Sequence, residues 1–494
     1  MAGTGRVLIA GAGPVGLTLA GELARYGVGV RIVDTSAART DKSKALVLWS
    51  RSLELLARTG RAQDFVAAGM EVYGARISNG RTLIAEIDFD AAESLFPAAV
   101  MIPQSETERL LETHLESLGV KVERTTGLTG FALVGDGVHA TLRDASGREE
   151  QVEADWLVGC DGAHSTVRHT LGMDFAGSTQ PSDWVLADVH LEGLTPDKLD
   201  IYWHSDGILA FFPITGGRYR MVADLGPAQS EAHRPDPTLA EVQALVDARG
   251  PGGIRMHDPF WLANFRINER KVKDYSLGRA FLAGDAAHIH SPAGGQGMNT
   301  GMQDAFNLAW KLALVVRGRA RPALLDSYSV ERSAVGDLVL HNATRMTDLA
   351  VMRNPLAQAV RNFAAHVVLG LSQVQRRASH SLTELEIAYP HSPLSVTAPH
   401  APHGGDLPKA GERWPQLDAS LPPIGAGDTP RFALIAHGAA ARDLAAGFGG
   451  LVETREPPAG YDGLWVVRPD GYVGLVAGAT DLSAAEAYLA ALLA

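Results

Sequence analysis

Residues 284–299 read GDAAHIHSPAGGQGMN, and this stretch says more about the fold than any other part of the chain. The apolar run 280–283 before it predicts a buried strand, and apolar residues three and four apart from Met298 to Val316 predict one face of a helix. An acidic residue, Asp285, thus follows a strand end, and a glycine-rich loop leads into a helix. The free N–H groups and positive dipole end of such a helix favour an anionic or electron-rich ligand, and the Asp285 carboxylate can accept hydrogen bonds from a polyol.

A second glycine-rich motif, GAGPVG at residues 11–16, lies near the N-terminus. It follows a short strand pattern and precedes a helix pattern, and the next strand pattern ends at Asp34. These elements form the dinucleotide-binding fingerprint in its required context, although a glycine-rich turn in another α/β unit is the alternative. We expect Gly11, Gly13 and Gly16 to let the backbone approach a pyrophosphate, and Asp34 to bind a ribose hydroxyl.

Composition places the chain among ordinary globular proteins. Its 494 residues are enough for about three domains, and 46% are hydrophobic. The net charge of −12 argues against nucleic-acid binding, which needs clustered Lys and Arg. The single cysteine, Cys160, excludes an intrachain disulfide and a thiolate-rich metal site, so no metal site is predicted and a reducing cytoplasm is the expected location. There is no run of about 18 apolar residues, so no membrane span is predicted.

The order of strand and helix patterns predicts an α/β protein in four parts. Residues 1–180 and 270–388 form a discontinuous domain built on a parallel sheet. Strand patterns joined by short turns at 181–269 predict an inserted antiparallel sheet that could form the wall of a pocket. Frequent prolines at 389–430 predict an extended linker or wrapping segment, and 431–494 returns to α/β order.

Two further motifs complete the pattern, namely CDG at 160–162 with Ser165 and Arg168, and RPDG at 468–471. In order and spacing, the four motifs resemble those of the single-component FAD-dependent aromatic hydroxylases (group A flavoprotein monooxygenases). The nearest branch oxidises phenols, polyketides and rifamycin-type antibiotics, and the resemblance covers nearly the whole chain. It implies a Rossmann-like FAD-binding domain with an inserted antiparallel-sheet substrate domain and a C-terminal thioredoxin-like domain.

The resemblance also implies which residues contact FAD. The set is Gly11, Gly13, Gly16, Asp34, Lys42, Lys44, Gln104, Leu128, Asp161, Asp285, Pro292, Gly297, Met298 and Asn299. The pyrophosphate is expected at the N-terminal glycines, the ribityl chain at Asp285, and the pyrimidine edge of the flavin at the backbone of 297–299. The family usually has arginines near the phosphates where this chain has Lys42 and Lys44, and lysine keeps the charge but lacks the bidentate fork.

Four of these positions carry narrower expectations from the same resemblance. Gln104 lies near the flavin, Leu128 meets adenine through its backbone, and Pro292 lies beside the reactive face of the flavin. Asp161 belongs to a motif linked to both FAD and the nicotinamide. Because its carboxylate repels a pyrophosphate directly, we expect an indirect role through Arg168 or neighbouring N–H groups.

The activity implied by the resemblance is hydroxylation of an aromatic small molecule. NAD(P)H binds transiently and reduces FAD, O2 adds to give a flavin C4a-hydroperoxide, and its terminal oxygen passes to the ring. Baeyer–Villiger oxidation or epoxidation of a polyketide is an alternative, and a catalytically idle FAD-binding sensor or partner protein is an alternative of another class. The family has no shared catalytic acid or base, so none is assigned, and a monomer and a homodimer are both compatible with the sequence.

Candidate substrate contacts come from the predicted antiparallel sheet and from one tryptophan outside it. They are Trp49, Tyr202, His204, Phe212 and Arg220. Each has an ordinary interpretation beside the functional one: the aromatic residues as core or surface, and Arg220 on a solvated face. For His288 and His290 we favour structural hydrogen bonds over catalysis, because a polar loop needs partners.

Overall fold

The structure is a computed structural model that describes residues 7–90, 92–230, 234–369, 371–402, 404 and 407–493. The described helices are α1 (Pro14–Arg25), α2 (Ser50–Ala57), α3 (Ala62–Ala68), α4 (Gln104–Ser117), α5 (Thr166–Thr170), α6 (Leu239–Arg249), α7 (Gly297–Val316), α8 (Asp326–Ala350), α9 (Pro355–Val368), α10 (Ser372–Leu382), α11 (Ala439–Ala446) and α12 (Leu482–Leu492). The described strands are β1 (Val7–Ala10), β2 (Val30–Val33), β3 (Val47–Leu48), β4 (Met70–Val72), β5 (Gly74–Asn79), β6 (Thr82–Asp88), β7 (Ala99–Met101), β8 (Val122–Glu123), β9 (Gly127–Val134), β10 (Gly137–Arg143), β11 (Glu149–Ala154), β12 (Trp156–Gly159), β13 (Ala176–Glu192), β14 (Leu199–His204), β15 (Gly207–Ile214), β16 (Arg218–Pro227), β17 (Arg255–Lys271), β18 (Ser276–Leu277), β19 (Ala280–Leu282), β20 (His288–Ile289), β21 (Val396–Thr397), β22 (Phe432–Ile435), β23 (Val452–Arg455), β24 (Leu464–Val467) and β25 (Val473–Ala477).

A six-stranded sheet of order β18-β19-β12-β1-β2-β8 forms the centre of the first unit. Its pairs are parallel except for the β18–β19 hairpin. Strands β1, β12 and β19 are buried along their whole length, which explains why they read as unbroken apolar runs. Parallel strands end at one edge of a sheet, so the motifs that follow β1, β12 and β19 meet there, where α/β folds bind ligands.

A second, largely antiparallel sheet has the order β20-β17-β13-β16-β15-β14-β5-β6. It is wider than the predicted segment 181–269, because β5 and β6 from residues 74–88 extend it and β5 pairs in parallel with β14. The prediction that residues 74–88 belong to the parallel-sheet part of the chain is therefore wrong, because their strands lie in the second sheet. Residues 74–88 form a hairpin whose partner strand, β14, lies more than a hundred residues away, so local pattern does not reveal the pairing.

The C-terminal region is a five-stranded sheet of order β21-β25-β24-β22-β23 with α11 and α12. Strands β22 and β23 are parallel and joined by α11, and β24 and β25 pair antiparallel. The thioredoxin-like interpretation remains a prediction. The proline-rich segment packs onto the C-terminal region and is not a free linker. Its strand β21 pairs with β25, and Trp414 and Ile424 lie in the hydrophobic core of this region.

Helix α7 is buried along nearly all of its length and packs mainly against α1, with further contacts to α2 and α8. Its apolar residues form the predicted stripe, but its buried face also carries Asp304, Asn307 and Lys311. Within the described chain, no helix combines the length and apolar character needed to cross a lipid bilayer.

Candidate active site

The three glycines after β1 differ in what constrains them. A Cβ on Gly11 would lie 2.2 Å from the carbonyl oxygen of Cys160, and one on Gly16 would lie 2.0 Å from the carbonyl oxygen of Gly11. A Cβ on Gly13 would meet no protein atom within 4 Å. Protein packing thus explains Gly11 and Gly16, whereas Gly13 leaves the backbone bare at the start of α1, as the approach of a pyrophosphate requires.

The first turn of α7 offers free backbone donors. No side chain caps this helix and no acidic residue lies in its first turn. Among the described residues, the amides of 297–299 have no hydrogen-bond partner, and the first amide to bond back is that of Thr300, to Gln296. The Asn299 side chain is occupied, since it accepts a hydrogen bond from the Trp49 amide at 3.0 Å. Backbone N–H groups and the helix dipole at this turn favour a negatively charged ligand edge.

The N-terminal ends of α1 and α7 are held against each other. A Cβ added to Gly284 would lie 2.7 Å from Val15, and one added to Gly301 would lie 2.8 Å from it. The absence of side chains at both glycines lets the loop after β19 and the start of α7 close onto α1. Two positive helix ends therefore converge beside one edge of the sheet.

Asp285 lies in this cleft and differs from the other acids near it. Its side chain is exposed, and within the described structure its carboxylate makes no hydrogen bond. Protein around its other sides removes water and raises the pKa of Asp285, against the lowering effects of His288 and Lys44. Lys44 is itself exposed on the loop before β3. A carboxylate that the protein leaves without donors is suited to accept hydroxyl hydrogen bonds from a ligand.

Asp34 follows β2, and backbone amides fix its carboxylate. Its two carboxylate oxygens accept hydrogen bonds from the amides of Ala12 and Ser36, each at 2.7 Å. The amide of Thr126 donates to the Asp34 carbonyl, which brings the start of β9, and with it Leu128, alongside. Leu128 is buried and belongs to the hydrophobic core of the first unit.

The remaining expected cofactor residues are Gln104 at the start of α4, Lys42 and Pro292. The Gln104 amide is engaged at both ends, since its oxygen accepts from the Ala45 amide at 3.1 Å and its nitrogen donates to Glu108 at 2.9 Å. Pro292 is exposed at the turn before α7, and Lys42 is exposed on the loop that leads to β3.

Asp161 caps a short helix. Its carboxylate accepts hydrogen bonds from the amides of Thr166 at 2.7 Å and Val167 at 3.2 Å, and burial raises its pKa. The Arg168 guanidinium donates to the carbonyls of Ala286 at 3.0 Å and Ala163 at 2.7 Å. The CDG motif is therefore linked to the loop after β19 through Arg168, and the indirect role expected for Asp161 stays a prediction.

A buried network that the sequence analysis missed fixes the start of this loop. The Asp304 carboxylate accepts hydrogen bonds from the Gly284 amide at 2.9 Å, His288 Nε2 at 2.8 Å and Arg332 Nε at 2.6 Å. Burial disfavours the charge of Asp304, but Arg332 and His288 outweigh it and lower its pKa. His288 is thus structural. An acid inside an apolar helix stripe was the available signal, because a buried charge requires partners.

His290 is a neutral ring in the same loop. Its Nδ1 lies 2.9 Å from the Ser291 carbonyl, so this nitrogen carries the proton and donates. Burial lowers the pKa of His290 to about 4. Its Nε2 is enclosed and has no partner in the described structure.

The substrate candidates divide between the two faces of the antiparallel sheet. Phe212 and Arg220 are opposite each other on β15 and β16, and Phe212 packs against the hydrophobic cluster that contains the buried Trp49. Tyr202 lies on the other face in the core with Phe211 under α6, so it does not line the same surface. His204 lies at the far end of β14, beside the turn into β15.

Arg220 is not on a solvated face. It is buried and forms an ion pair with Asp188, with Nε 2.8 Å from Oδ1. It also donates to the carbonyl of Lys44 at 2.9 Å and to that of Ser43. The solvated-face interpretation is therefore wrong, because strand alternation turns this side chain inward onto the loop before β3.

The RPDG motif lies in a sealed ionic cluster between α7, α8 and the C-terminal sheet. Arg468 contacts Glu331 at 2.6 Å, and Lys311 contacts the same carboxylate at 2.7 Å. The Asp470 carboxylate accepts from Trp310 Nε1 at 3.0 Å. Lys311 lies about 20 Å along the axis of α7 from its first turn, so this motif joins the C-terminal region to the first unit rather than forming part of the cleft.

Comparisons with known proteins agree with this geometry. The profile of a family described as an FAD binding domain matches residues 4–343. The 6-methylpretetramide 4-monooxygenase of Streptomyces rimosus is 38% identical over 97% of this chain and 92% of its own length. The rifampicin monooxygenase of Streptomyces venezuelae is 36% identical over 78% of this chain and 79% of its own.

A solved structure shows the same fold over almost the whole chain. The anhydrotetracycline hydroxylase OxyS from Streptomyces rimosus superimposes with a TM-score of 0.79 at 31% identity, covering 97% of both chains. The α/β fold with its mixed sheets is that of the FAD-dependent aromatic hydroxylases. From the site geometry and these likenesses together, the chain belongs to the FAD binding domain family and is a flavin-dependent monooxygenase of the aromatic and polyketide type.

Proposed function

We propose that the chain is an NAD(P)H- and O2-dependent monooxygenase that hydroxylates an aromatic small molecule of phenolic or polyketide type. The observation that carries the proposal is the convergence of two uncapped helix N-termini and the exposed carboxylate of Asp285 at one sheet edge. The substrates in the names of the relatives, a pretetramide and rifampicin, support the substrate class.

In this proposal the N-terminus of α1 binds the pyrophosphate of FAD, and Asp34 and Asp285 bind the two polyol parts. The first turn of α7 faces the pyrimidine edge, where its amides and dipole stabilise negative charge. Bound FAD supplies the two-electron redox chemistry and the activation of O2.

The substrate lies, in this proposal, between the α7 loop and the face of the antiparallel sheet that carries Phe212. Trp49 donates from Nε1 to the Gly294 carbonyl at 2.9 Å, so it fixes the glycine-rich loop against that face. Arg220 acts on the loop before β3 through its hydrogen bonds to two carbonyls, and not directly on substrate. A wall of apolar side chains here excludes water from the reacting ring.

The test is to purify the FAD-loaded protein and measure oxidation of NADH and NADPH with a panel of phenols, anthraquinone-like polyketides and ansamycins. We expect at least one compound to stimulate oxidation and to gain one oxygen atom from labelled O2 by mass spectrometry. Insertion of that atom into a ring C–C bond would identify the Baeyer–Villiger alternative. A yellow protein that consumes no NAD(P)H with any compound would favour the catalytically idle alternative.

A further inference from the structure

Helix α9 carries its large apolar side chains on the outside. Leu356, Val360, Phe363 and Val367 are 80%, 68%, 72% and 49% exposed. Their spacing of four, three and four residues aligns them in one stripe along the helix. The buried side chain of this helix is Arg361. A surface helix ordinarily buries its apolar stripe and exposes its charges, so α9 has the reverse arrangement.

The inward face of α9 is fixed by polar contacts, so the helix is held in this orientation. The Arg361 guanidinium lies over the Trp203 ring at 4.3 Å and donates to the Leu349 carbonyl at 2.7 Å. The Gln358 side chain donates to the carbonyl of Ser205 at 3.2 Å. Rotating α9 so that its apolar stripe faced the protein would break these polar contacts, and it would bury no charged side chain in their place.

The outward face contains no charged side chain. It consists of Leu356, Ala359, Val360, Phe363, Ala364 and Val367. An anionic membrane or a nucleic acid is recognised through Lys and Arg beside the contact, and a charged protein surface needs opposite charges. An apolar centre depleted of charge is typical of the core of a protein–protein interface.

The spacing of the stripe is the same in both directions along α9. This symmetry indicates that the partner is a second copy of the same helix. A two-fold axis crossing α9 midway between Val360 and Phe363 sets Val360 of one copy against Phe363 of the other, and Leu356 against Val367. The small residues Ala359 and Ala364 exchange under the same axis and let the helices approach closely. We propose that two copies of this chain dimerise here, with α9 packed antiparallel to α9 in an isologous interface.

The size of the surface fits such a dimer. Val368 and Leu371 continue the exposed apolar surface beyond the stripe, and Leu349 lies beside Arg361. Together these side chains offer roughly 500–800 Å² per copy, so pairing would bury about 1,000–1,600 Å² in total, the size of a stable specific interface.

The first experiment compares oligomeric states by sedimentation velocity of the FAD-loaded protein. The wild type is expected to be a dimer and Phe363→Glu a monomer, with the dissociation constant raised about a hundredfold or more because a charge is buried without a partner. Leu417→Glu is the matched control, since Leu417 is 55% exposed outside this surface. FAD absorbance confirms that each variant is folded.

The second experiment tests the register by oxidative cross-linking. The only native thiol, Cys160, is enclosed, and burial raises its pKa, so the wild type should not cross-link. The double variant Leu356→Cys/Val367→Cys should give a covalent dimer under mild oxidation, because these two positions face each other across the two-fold axis but lie about 16 Å apart within one helix and cannot pair inside one copy.

Three results would overturn the proposal. They are a wild-type protein that stays monomeric at tens of micromolar, a dimer that survives Phe363→Glu, and a dimer in which the paired cysteines do not cross-link. Binding of a monomeric wild type to anionic lipid vesicles that is lost in Phe363→Glu would assign the surface to a membrane instead.

Discussion

Asp285 and Glu331 belong to the same unit, but the described part of the chain provides partners for the charge of only one of them. Asp285 lies exposed in the cleft with no hydrogen-bond donor from the described chain, and loss of water raises its pKa. Glu331 is sealed at the junction with the C-terminal region, and although burial opposes its charge, Arg468 and Lys311 hold its pKa well below the ordinary value. The protein completes the second charge itself and leaves the first to a ligand. In the proposed site, unsatisfied charge therefore marks a ligand contact, whereas satisfied charge marks architecture.

Removing the sealed charge should give the largest effect. Glu331→Gln leaves Arg468 and Lys311 without their shared counter-charge, and we expect the free energy of unfolding to fall by about 3–5 kcal/mol in urea titrations. Glu123→Gln is the control, because its pair with Arg31 is exposed and should contribute below about 1 kcal/mol. Equal losses in the two variants would break the distinction between sealed and exposed charge.

Removing the charge of Asp285 should weaken FAD binding without lowering the free energy of unfolding. For Asp285→Ala we expect the Kd for FAD to rise roughly 10- to 150-fold, equivalent to about 1.5–3 kcal/mol, since a charge-assisted hydrogen bond to the ligand is lost. The unfolding free energy of the FAD-free protein should not fall. Asp304→Asn supplies the contrast, because Asp304 is bonded within the protein and its loss should destabilise the FAD-free form. Unchanged FAD retention in Asp285→Ala would remove Asp285 from the site.

Glu384 is a third case, because its side chain is buried but the groups that donate hydrogen bonds to it carry no charge. Its carboxylate accepts from the Thr300 hydroxyl at 2.7 Å and the Gln303 amide at 2.6 Å, behind the first turn of α7. Its backbone is left-handed, with φ of +60°, where a helix usually ends in glycine. Burial raises the pKa of Glu384 to about 8, although Arg332 opposes this shift and Asp304 adds to it.

The smallest predicted effect follows from that raised pKa. The folded state holds the proton of Glu384 more tightly than the unfolded state, so its contribution to stability is lost as pH rises from the unfolded pKa of about 4.3 towards the folded value. Between pH 6 and 7 we expect the unfolding free energy of the wild type, relative to Glu384→Gln, to fall by about 1 kcal/mol. Urea titrations of both proteins at each pH measure the difference, and parallel pH profiles would contradict the assignment.

The cleft was predictable because its signals are local. The fingerprint at 11–16 and the loop at 284–299 each combine glycines, a strand end and a helix start within a few residues, and parallel strands bring such ends together. The structural role favoured for His288 is confirmed by its contact with Asp304. The sealed cluster at the junction with the C-terminal region was not predictable, because Glu331 and Arg468 are 137 positions apart and neither has a local pattern that names its partner.

Local chemistry in the sequence thus determined the dinucleotide-binding unit, the glycine-rich loops before α1 and α7 and the family to which the chain belongs. Tertiary structure decided which side chains are neutralised. It turned Arg220 inward onto Asp188, added residues 74–88 to the distant sheet and left the apolar stripe of α9 on the surface. The physical reason is that backbone conformation follows from neighbours in sequence, whereas burial and charge pairing depend on which surfaces meet after the chain has folded.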